Sequence, residues 1–463
     1  MPALDHSLKL PCGAVLANRL AKAAITEGLS DPRGWATPEL EGIYDDWSRG
    51  GFGLLISGNI IVDGEHLERP GNVIIDGRPA DEQMAALRSW VKTATTYGSH
   101  FWAQLSHSGR QTPRVVNGRP RSPSAVRTGL PSGLFGKPVA MSALEIDSTI
   151  ERFATAARIA RAAGFTGIQI HAAHGYLLSS FLSPKANVRT DRWGGDLDNR
   201  ARLLESIIRA VRAAVGPEFP IAVKLNSADF QRGGFEASDS EKVALRLNEE
   251  GIDLLELSGG DYERPAMIGV GGDADERKAS TIAREAYFLD FARAIRKQSR
   301  IPIMLTGGLR SRRGMDAALA EGIDILGVAR PACVDPYCAG KMLRGEIETF
   351  DRWEEHVRRD GSLLGSRSPL SVVRQINAFA NIYWFYAQIL RAGQGKAFAP
   401  GMPPFLGLLS VQAHEVGLQF ARRALLAKAP KGDTGAGSQR VSNARASIVL
   451  GDEAWRLRRS SRS

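Results

Sequence analysis

Between about residues 18 and 345 the chain alternates short apolar runs with longer amphipathic stretches, and nothing else in it constrains the fold as tightly. Runs at 20–25, 53–57, 100–104, 167–170, 221–225, 254–257, 303–305 and 323–328 read as eight buried strands. Between most of them, for example at 79–97, 148–163, 199–215, 238–250 and 283–298, apolar residues recur at three- and four-residue spacing. That is the period of a helix with one buried face. Gly164 and Gly251 stand where two of these helices must stop, just before the next strand. Eight strand–helix units predict an α/β fold, a (β/α)8 TIM barrel. A doubly wound open sheet would want a G-x-G-x-x-G turn after its first strand, and none stands there.

The pattern changes after residue 345. We expect a barrel over 1–345 and a C-terminal helical extension over 346–429, with helices at 371–393 and 411–427. The Gly-, Ser- and Arg-rich stretch 430–463 is expected to be a disordered basic tail. Trp384, Phe385 and Tyr386 give the 371–393 helix an interface character, which leaves homo-oligomerisation open. Within the barrel the third strand–helix connection, 106–147, is long and contains Pro113, Pro120, Pro123, Pro131 and Pro138. On the C-terminal face of a barrel it reads as a substrate lid.

The net charge is +10, but part of the excess lies in 455–462 and the rest is dispersed without a nucleic-acid motif. It is read as solubility and attraction for anionic cofactors, not as a nucleic-acid surface. Cys12, Cys333 and Cys338 make neither a disulfide framework nor a metal motif. No run of about 18 apolar residues exists; the nearest, 378–390, contains Asn381 and Gln388. Nor does the chain open with a charged segment followed by an apolar run. The expectation is a soluble, cytoplasmic protein with a small-molecule substrate, no membrane association and no bound metal.

The candidate chemistry gathers at strand ends. After the fourth strand come His171, His174 and Tyr176, two imidazoles and a phenol within six residues. Such groups donate hydrogen bonds to a developing oxyanion, and a phenol also delivers a proton. Alternatively, each is a buried polar side chain that satisfies nearby backbone. Strand 7 ends in Thr306-Gly307-Gly308 and strand 8 in Val328-Ala329-Arg330. Small residues there admit backbone N–H groups to an anion, and a phosphate site after strands 7 and 8 recurs in this barrel class. Lys224 lies within an apolar strand, where a charge is costly unless it meets a salt bridge, an anionic ligand or an electron-rich ring. Gln104 either reads a pyrimidine-like edge or is a satisfied core amide. Thr26 offers a hydroxyl after strand 1, or caps the next turn.

Several of these segments together resemble one family. They are Asn18-Arg19-Leu20, Gln104-Leu105-Ser106-His107-Ser108-Gly109-Arg110, and His171-Ala172-Ala173-His174-Gly175-Tyr176-Leu177-Leu178. Phe181-Leu182-Ser183-Pro184, Arg189-Thr190-Asp191-Arg192-Trp193-Gly194-Gly195, Asn199-Arg200, Thr306-Gly307-Gly308 and Ala329-Arg330 complete the set. From about 5 to 390 the chain resembles the Old Yellow Enzyme family of FMN-containing NAD(P)H:flavin oxidoreductases. The resemblance implies FMN at the top of the barrel. It implies Thr26 on the flavin carbonyl, Ala24 and Gly58 lining the ring, and Gln104 on the pyrimidine edge. Lys224 falls beside N1 and O2, and Gly308, Ala329 and Arg330 on the phosphate. His171 and His174 fall on the substrate carbonyl oxygen, with Tyr176 protonating the carbon α to it.

The implied reaction is reduction of an activated C=C bond, in α,β-unsaturated carbonyls or nitro compounds, by NADH or NADPH in ping-pong fashion. Thr26 stands where some bacterial members have a cysteine, and no cysteine cluster follows the barrel, so an iron–sulfur electron chain is not expected. A dehydrogenase or demethylase on the same barrel, or a non-catalytic flavin-binding protein, are the alternatives.

Overall fold

The computed structural model describes residues 2–129, 133–229, 233–258, 291–357, 368 and 370–428. Eight parallel strands close into a barrel in chain order. They are β1 (Leu20–Lys22), β2 (Leu54–Ile61), β3 (His100–Ser106), β4 (Gly167–Ala172), β5 (Ile221–Asn226), β6 (Leu254–Ser258), β7 (Ile303–Thr306) and β8 (Ile325–Val328). β8 pairs back to β1, with Leu326 opposite Leu20 and Val328 opposite Lys22, so no barrel edge is left open. The fold expected from the alternation is the fold observed.

The described helices around the barrel include α1 (Pro38–Arg49), α2 (Asp81–Thr95), α3 (Ala143–Ala163), α4 (Leu197–Val215), α5 (Ala237–Glu249) and α6 (Arg312–Ala320). Their starts follow local chemistry. Thr37 accepts from the Leu40 amide and Pro38 takes the first turn of α1, where a missing N–H costs nothing. α3 begins at Ala143, five residues before its apolar period becomes legible, because Ser142 and Glu145 form a reciprocal capping box. Of the helix expected at 283–298, residues 291–296 are helical and 283–290 lie outside the described residues, as do 430–463.

The barrel interior has an apolar floor. Ala21, Ala23, Leu54, Ile56, Trp102, Ala222, Leu254, Met304 and Ile325 form one buried cluster with Leu8, Leu10 and Leu16 of an N-terminal two-stranded element. Gly167 opens β4 because Trp102 fills the space beside it: a Cβ there would fall 2.5 Å from the indole Nε1. Towards the strands' C-terminal ends the inward residues turn polar. β2 carries a bulge between Ile56 and Asn59, absent from the 53–57 reading, so that Asn59 pairs with Gln104.

Outside the barrel wall a buried charge cluster joins β1 to α1. The fully buried Lys22 donates to the Ile56 carbonyl at 2.9 Å and Tyr44 Oη at 3.2 Å, and lies 3.6 Å from Glu27 Oε1. Its ammonium sits 4.3 Å from the Trp47 ring centroid. Burial pushes Lys22 down to about 8, against the attraction of Glu27. Glu27 Oε1 also accepts from Tyr44 Oη and from the Gly58 amide.

Beyond the barrel run α7 (Ser371–Gly393) and α8 (Pro404–Lys428), the latter longer than the 411–427 expected. α7 packs on α1. From α8, His414 Nε2 faces the Gly28 carbonyl at 3.1 Å, and Gln419 donates to the Val115 carbonyl at 2.9 Å. Glu415 pairs with the buried Arg69 at 2.5 Å. These partners sit in the loops after β3, β1 and β2. Among the described residues no helix is long and apolar enough to cross a membrane.

Glu27→Leu leaves the Lys22 ammonium buried without its carboxylate and should cost about 3–5 kcal/mol in urea unfolding. The double variant Lys22→Met, Glu27→Leu should recover most of that loss. A single-variant cost under about 1 kcal/mol would show that the aromatic faces and carbonyl hold Lys22 unaided.

Candidate active site

Above the apolar floor lies a row of four polar side chains. Gln104 Nε2 donates to Gln169 Oε1 at 2.7 Å, and Gln169 Nε2 donates to Glu256 Oε2 at 2.7 Å. Lys224 Nζ meets Glu256 Oε1 at 2.9 Å, with both side chains almost wholly buried. Of the readings left open for Lys224, the structure contains the salt bridge. Gln104 is in part a satisfied amide, bonded to a neighbouring glutamine.

The next layer up holds the imidazoles. His171 Nδ1 lies 2.8 Å from Asn59 Oδ1 and 3.4 Å from Ser106 Oγ, and its Nε2 lies 3.2 Å from His174 Nδ1. His174 Nε2 in turn lies 2.8 Å from Ser258 Oγ. The Tyr176 ring packs edge-on to His171 with centroids 4.9 Å apart. Burial pushes both histidines well below the usual imidazole range; Lys224 adds to this at both, and His174 also does so at His171. Both rings are therefore neutral at pH 7. His174 has φ +63°, the single non-glycine residue with positive φ among the described residues. The Asn226 side chain accepts from its amide, Gln111 donates to its carbonyl, and its ring is held at both nitrogens. That backbone is costly, and it aims the ring back into the barrel.

Thr26 ends the same hydrogen-bond network. Its hydroxyl donates to Glu68 Oε2 at 2.9 Å and its oxygen accepts from Asn59 Nδ2 at 3.4 Å. Ala24 and Ala329 are small, partly buried and packed at the edge of the interior apolar cluster. The direction a side chain would take at Gly58 is filled by Glu27, whose Oε2 would lie 2.2 Å from a Cβ. At the ends of β7 and β8, Gly307 and Gly308 have φ of +126° and +79°, a turn that L side chains resist. Among the described residues, a Cβ at Gly307 would meet nothing within 4 Å and Thr306 Oγ1 is buried without a hydrogen-bond partner. Arg330 is half exposed and 3.5 Å from Glu354, which also pairs with Arg310.

Small residues at the rim, an orphaned hydroxyl beside an open glycine turn, and cations at Lys224, Arg310 and Arg330 fit an anionic, ring-bearing group. The structure thus joins Thr26, His171, His174 and Tyr176 in one cluster and Gln104 with Lys224 in the row beneath it. Gly308, Ala329 and Arg330 lie on the neighbouring strand ends.

Sequence reasoning passed over Asn59, Gln169, Glu256 and Ser258. It also passed over Asp63, His66 and His107, three residues beside the mouth whose ligand-capable atoms lie within 4.8 Å of one another. Their hydrogen bonds argue against a metal there. The Arg121 amide donates to His66 Nε2 at 2.8 Å and the Gly109 amide to His107 Nδ1 at 3.0 Å. Each imidazole must therefore carry its proton on the nitrogen that faces Asp63. A metal would need those nitrogens bare and the opposite ones protonated against backbone N–H groups. Burial raises Asp63, but contacts from His107 and His66 outweigh it and hold the carboxyl well below the usual range. Burial, followed by the neighbouring His66, pushes His107 down to about 4.

The family described as NADH:flavin oxidoreductase / NADH oxidase matches residues 11–347. An NADH-dependent flavin oxidoreductase of Neonectria sp. (strain DH2) is 36% identical over 349 residues, covering 71% of this chain and 45% of that one. One from Talaromyces variabilis is 37% identical over 351 residues, covering 72% and 84%. The chain thus spans less than half of the Neonectria protein and most of the Talaromyces one. Among solved structures, an old yellow enzyme homologue from Zymomonas mobilis superposes with a TM-score of 0.62 at 25% identity, covering 76% of this chain and 95% of that one.

The Asp63 cluster gives an acid-labile element. His107 titrates near 4 when folded and near the ordinary value of about 6.5 when unfolded, so the unfolded chain holds the extra proton in between. Stability should therefore fall as pH drops from about 6.5 to 4, and further below about 4 as the unfolded Asp63 protonates. Asp63→Asn should lower stability at pH 7 by about 1.5–3 kcal/mol. Stoichiometric zinc should leave the wild-type melting temperature unchanged, and a zinc-dependent rise would reverse the protonic reading.

Proposed function

The chain belongs to the NADH:flavin oxidoreductase / NADH oxidase family, and from that premise we propose that it is an FMN-dependent ene-reductase acting on activated C=C bonds. The observation that carries the reading is the packing of Tyr176 against His171, whose ring is bonded to His174, at the end of the barrel that holds the Lys224 row. FMN, reduced by NADH or NADPH, supplies the hydride equivalent that reaches the β carbon of an α,β-unsaturated carbonyl or nitro compound.

In this reading the remaining work falls to side chains of the chain itself. His171 and His174, neutral and buried, hold the substrate carbonyl oxygen as negative charge develops on it. Tyr176, fixed by the His171 ring, delivers a proton to the α carbon. Lys224, Gln104 and Thr26 would hold the pyrimidine end of the ring, Lys224 supplying positive charge to it, Gln104 amide hydrogen bonds and Thr26 a hydroxyl. Ala24 and Gly58 border the ring. Gly308, Ala329 and Arg330 hold the phosphate, where Arg330 exchanges Glu354 for the anion. One pocket serves nicotinamide and substrate in turn, which is the basis for ping-pong kinetics.

Anaerobic mixing with NADH or NADPH should bleach the flavin bands, and cyclohexenone should restore them. Bleaching by an amine instead would favour a dehydrogenase. Tyr176→Phe should slow reoxidation by the enone roughly 10²-fold while reduction by the nicotinamide stays near normal. Equal losses in both half-reactions would remove Tyr176 from the proton-donor role. His174→Ala should weaken phenol binding; unchanged phenol affinity would exclude His174 as an oxyanion donor.

A further inference from the structure

We propose that Asn59 is a positioning residue whose side-chain amide decides which nitrogen of His171 carries the proton. The proposal builds on the oxyanion role given to the histidine pair. In the resting site Glu68 polarises the hydrogen-bond chain around Asn59 in one direction. Glu68 as a carboxylate accepts and cannot donate, and it also receives Asn72 Nδ2 at 3.3 Å. The Thr26 hydroxyl proton must then point to Glu68, at 2.9 Å. The Thr26 oxygen is left as an acceptor, so the amide nitrogen of Asn59 turns towards it, at 3.4 Å. That orientation presents Asn59 Oδ1 to His171 Nδ1 at 2.8 Å and draws the ring proton to Nδ1. His171 Nε2, now bare, accepts from His174 Nδ1 at 3.2 Å, and His174 Nε2 accepts from Ser258 at 2.8 Å.

The consequence is that the resting pair is closed on itself. His171 donates to Asn59 and His174 donates to His171, so neither ring has an N–H to spare for a carbonyl oxygen. A half-turn of the Asn59 amide opens it. Nδ2 then donates to His171 Nδ1, the proton resides on Nε2, and Oδ1 accepts the Thr26 hydroxyl as it swings from Glu68. His171 Nε2–H and His174 Nδ1–H then point together at the ligand oxygen, and Ser258 still satisfies His174. The proton count of both rings is unchanged, so burial does not oppose the switch as it would oppose forming an imidazolium. Ser106 Oγ, 3.4 Å from His171 Nδ1, donates or accepts and serves either state.

The bulge in β2 is what brings Asn59 into this position, since it re-sets the inward alternation beside Gln104. Thr26 couples the switch to the ring end of the site. A carbonyl that accepts the Thr26 hydroxyl holds Asn59 in the resting orientation as Glu68 does.

The test is long-range 1H–15N spectroscopy of FMN-loaded, 15N-histidine-labelled protein, with His171→Gln to assign the resonances. Resting wild type should show His171 protonated at Nδ1, and saturating phenol should move the proton to Nε2. Asn59→Leu and the isosteric Thr26→Val should each give a resting mixture of tautomers. Asn59→Leu should also slow enone reoxidation roughly tenfold or more. Asn59→Asp, which also accepts, should restore protonation at Nδ1 and keep it there when phenol is added. A resting wild-type proton on Nε2, or a resting Asn59→Leu spectrum identical to wild type, would overturn the proposal. Loss of enone turnover across all substrates with these spectra intact would count against the ene-reductase reading and leave the role of Asn59 standing.

Discussion

The ion pair between Lys224 and Glu256, enclosed by the barrel wall at 2.9 Å, is the constraint around which the upper interior is built. Each ion loses several kcal/mol of hydration on burial, and their mutual attraction offsets that only if the remaining polar valences are filled. Gln169 supplies the second oxygen of Glu256 with a donor, and Gln104 in turn satisfies Gln169. The row spans four consecutive strands, β3 to β6. Apolar residues lie below it and hydrogen-bonding residues above it, which is why a site can form at the C-terminal ends and not at the floor. Burial is the main reason the histidines stay neutral, and the same buried cation adds to it, because a second positive charge nearby in a medium of low polarisability is disfavoured.

Much of this was legible in the chain as written. Eight apolar runs announced eight strands, since strands buried on both faces have little room for polar residues. Lys224 and Gln104 stood out as exceptions within such runs. Glu256 in Leu-Leu-Glu-Leu-Ser and Asn59 in Ser-Gly-Asn-Ile-Ile carry the same signal. The pairing of Glu256 with Lys224 was not legible, because nothing in one sequence says which carboxylate on which strand faces a given lysine. Asn59 was hidden for a different reason. Strict alternation from Leu54 and Ile56 would turn residue 59 towards the helices, and the bulge at Ser57–Gly58 reverses that. The glycine at 58 reads as room for a ring but is also required by Glu27, a contact between the β1 loop and β2 that composition does not reveal.

His174 shows how the site meets the cost of its own geometry. A left-handed backbone at a non-glycine residue is unfavourable by about 1 kcal/mol or more. It persists because four hydrogen bonds hold the residue: Asn226 on its amide, Gln111 on its carbonyl, and His171 and Ser258 on its ring. Gln111 comes from the long connection after β3 and Ser258 from the end of β6, so the imidazole is set by elements far apart in the chain. The hinge that places it, His174-Gly175, is short enough to be read in the sequence. The partners that lock it are not.

The extension beyond the family match has a mechanical claim on the same site. The match ends at residue 347, yet Glu415 binds the buried Arg69 and His414 faces the Gly28 carbonyl. Gly28 is two residues from Thr26, and Arg69 adjoins Glu68, so the extension grips the two loops whose contact orients Asn59. Tyr386 of α7 lies 4.3 Å below the Arg69 guanidinium and strengthens that grip from the other side. A salt bridge this buried is stiff because separating it exposes two charges to an apolar surrounding. Residues outside the barrel and beyond the 11–347 match thus hold the two loops that carry Thr26 and Glu68.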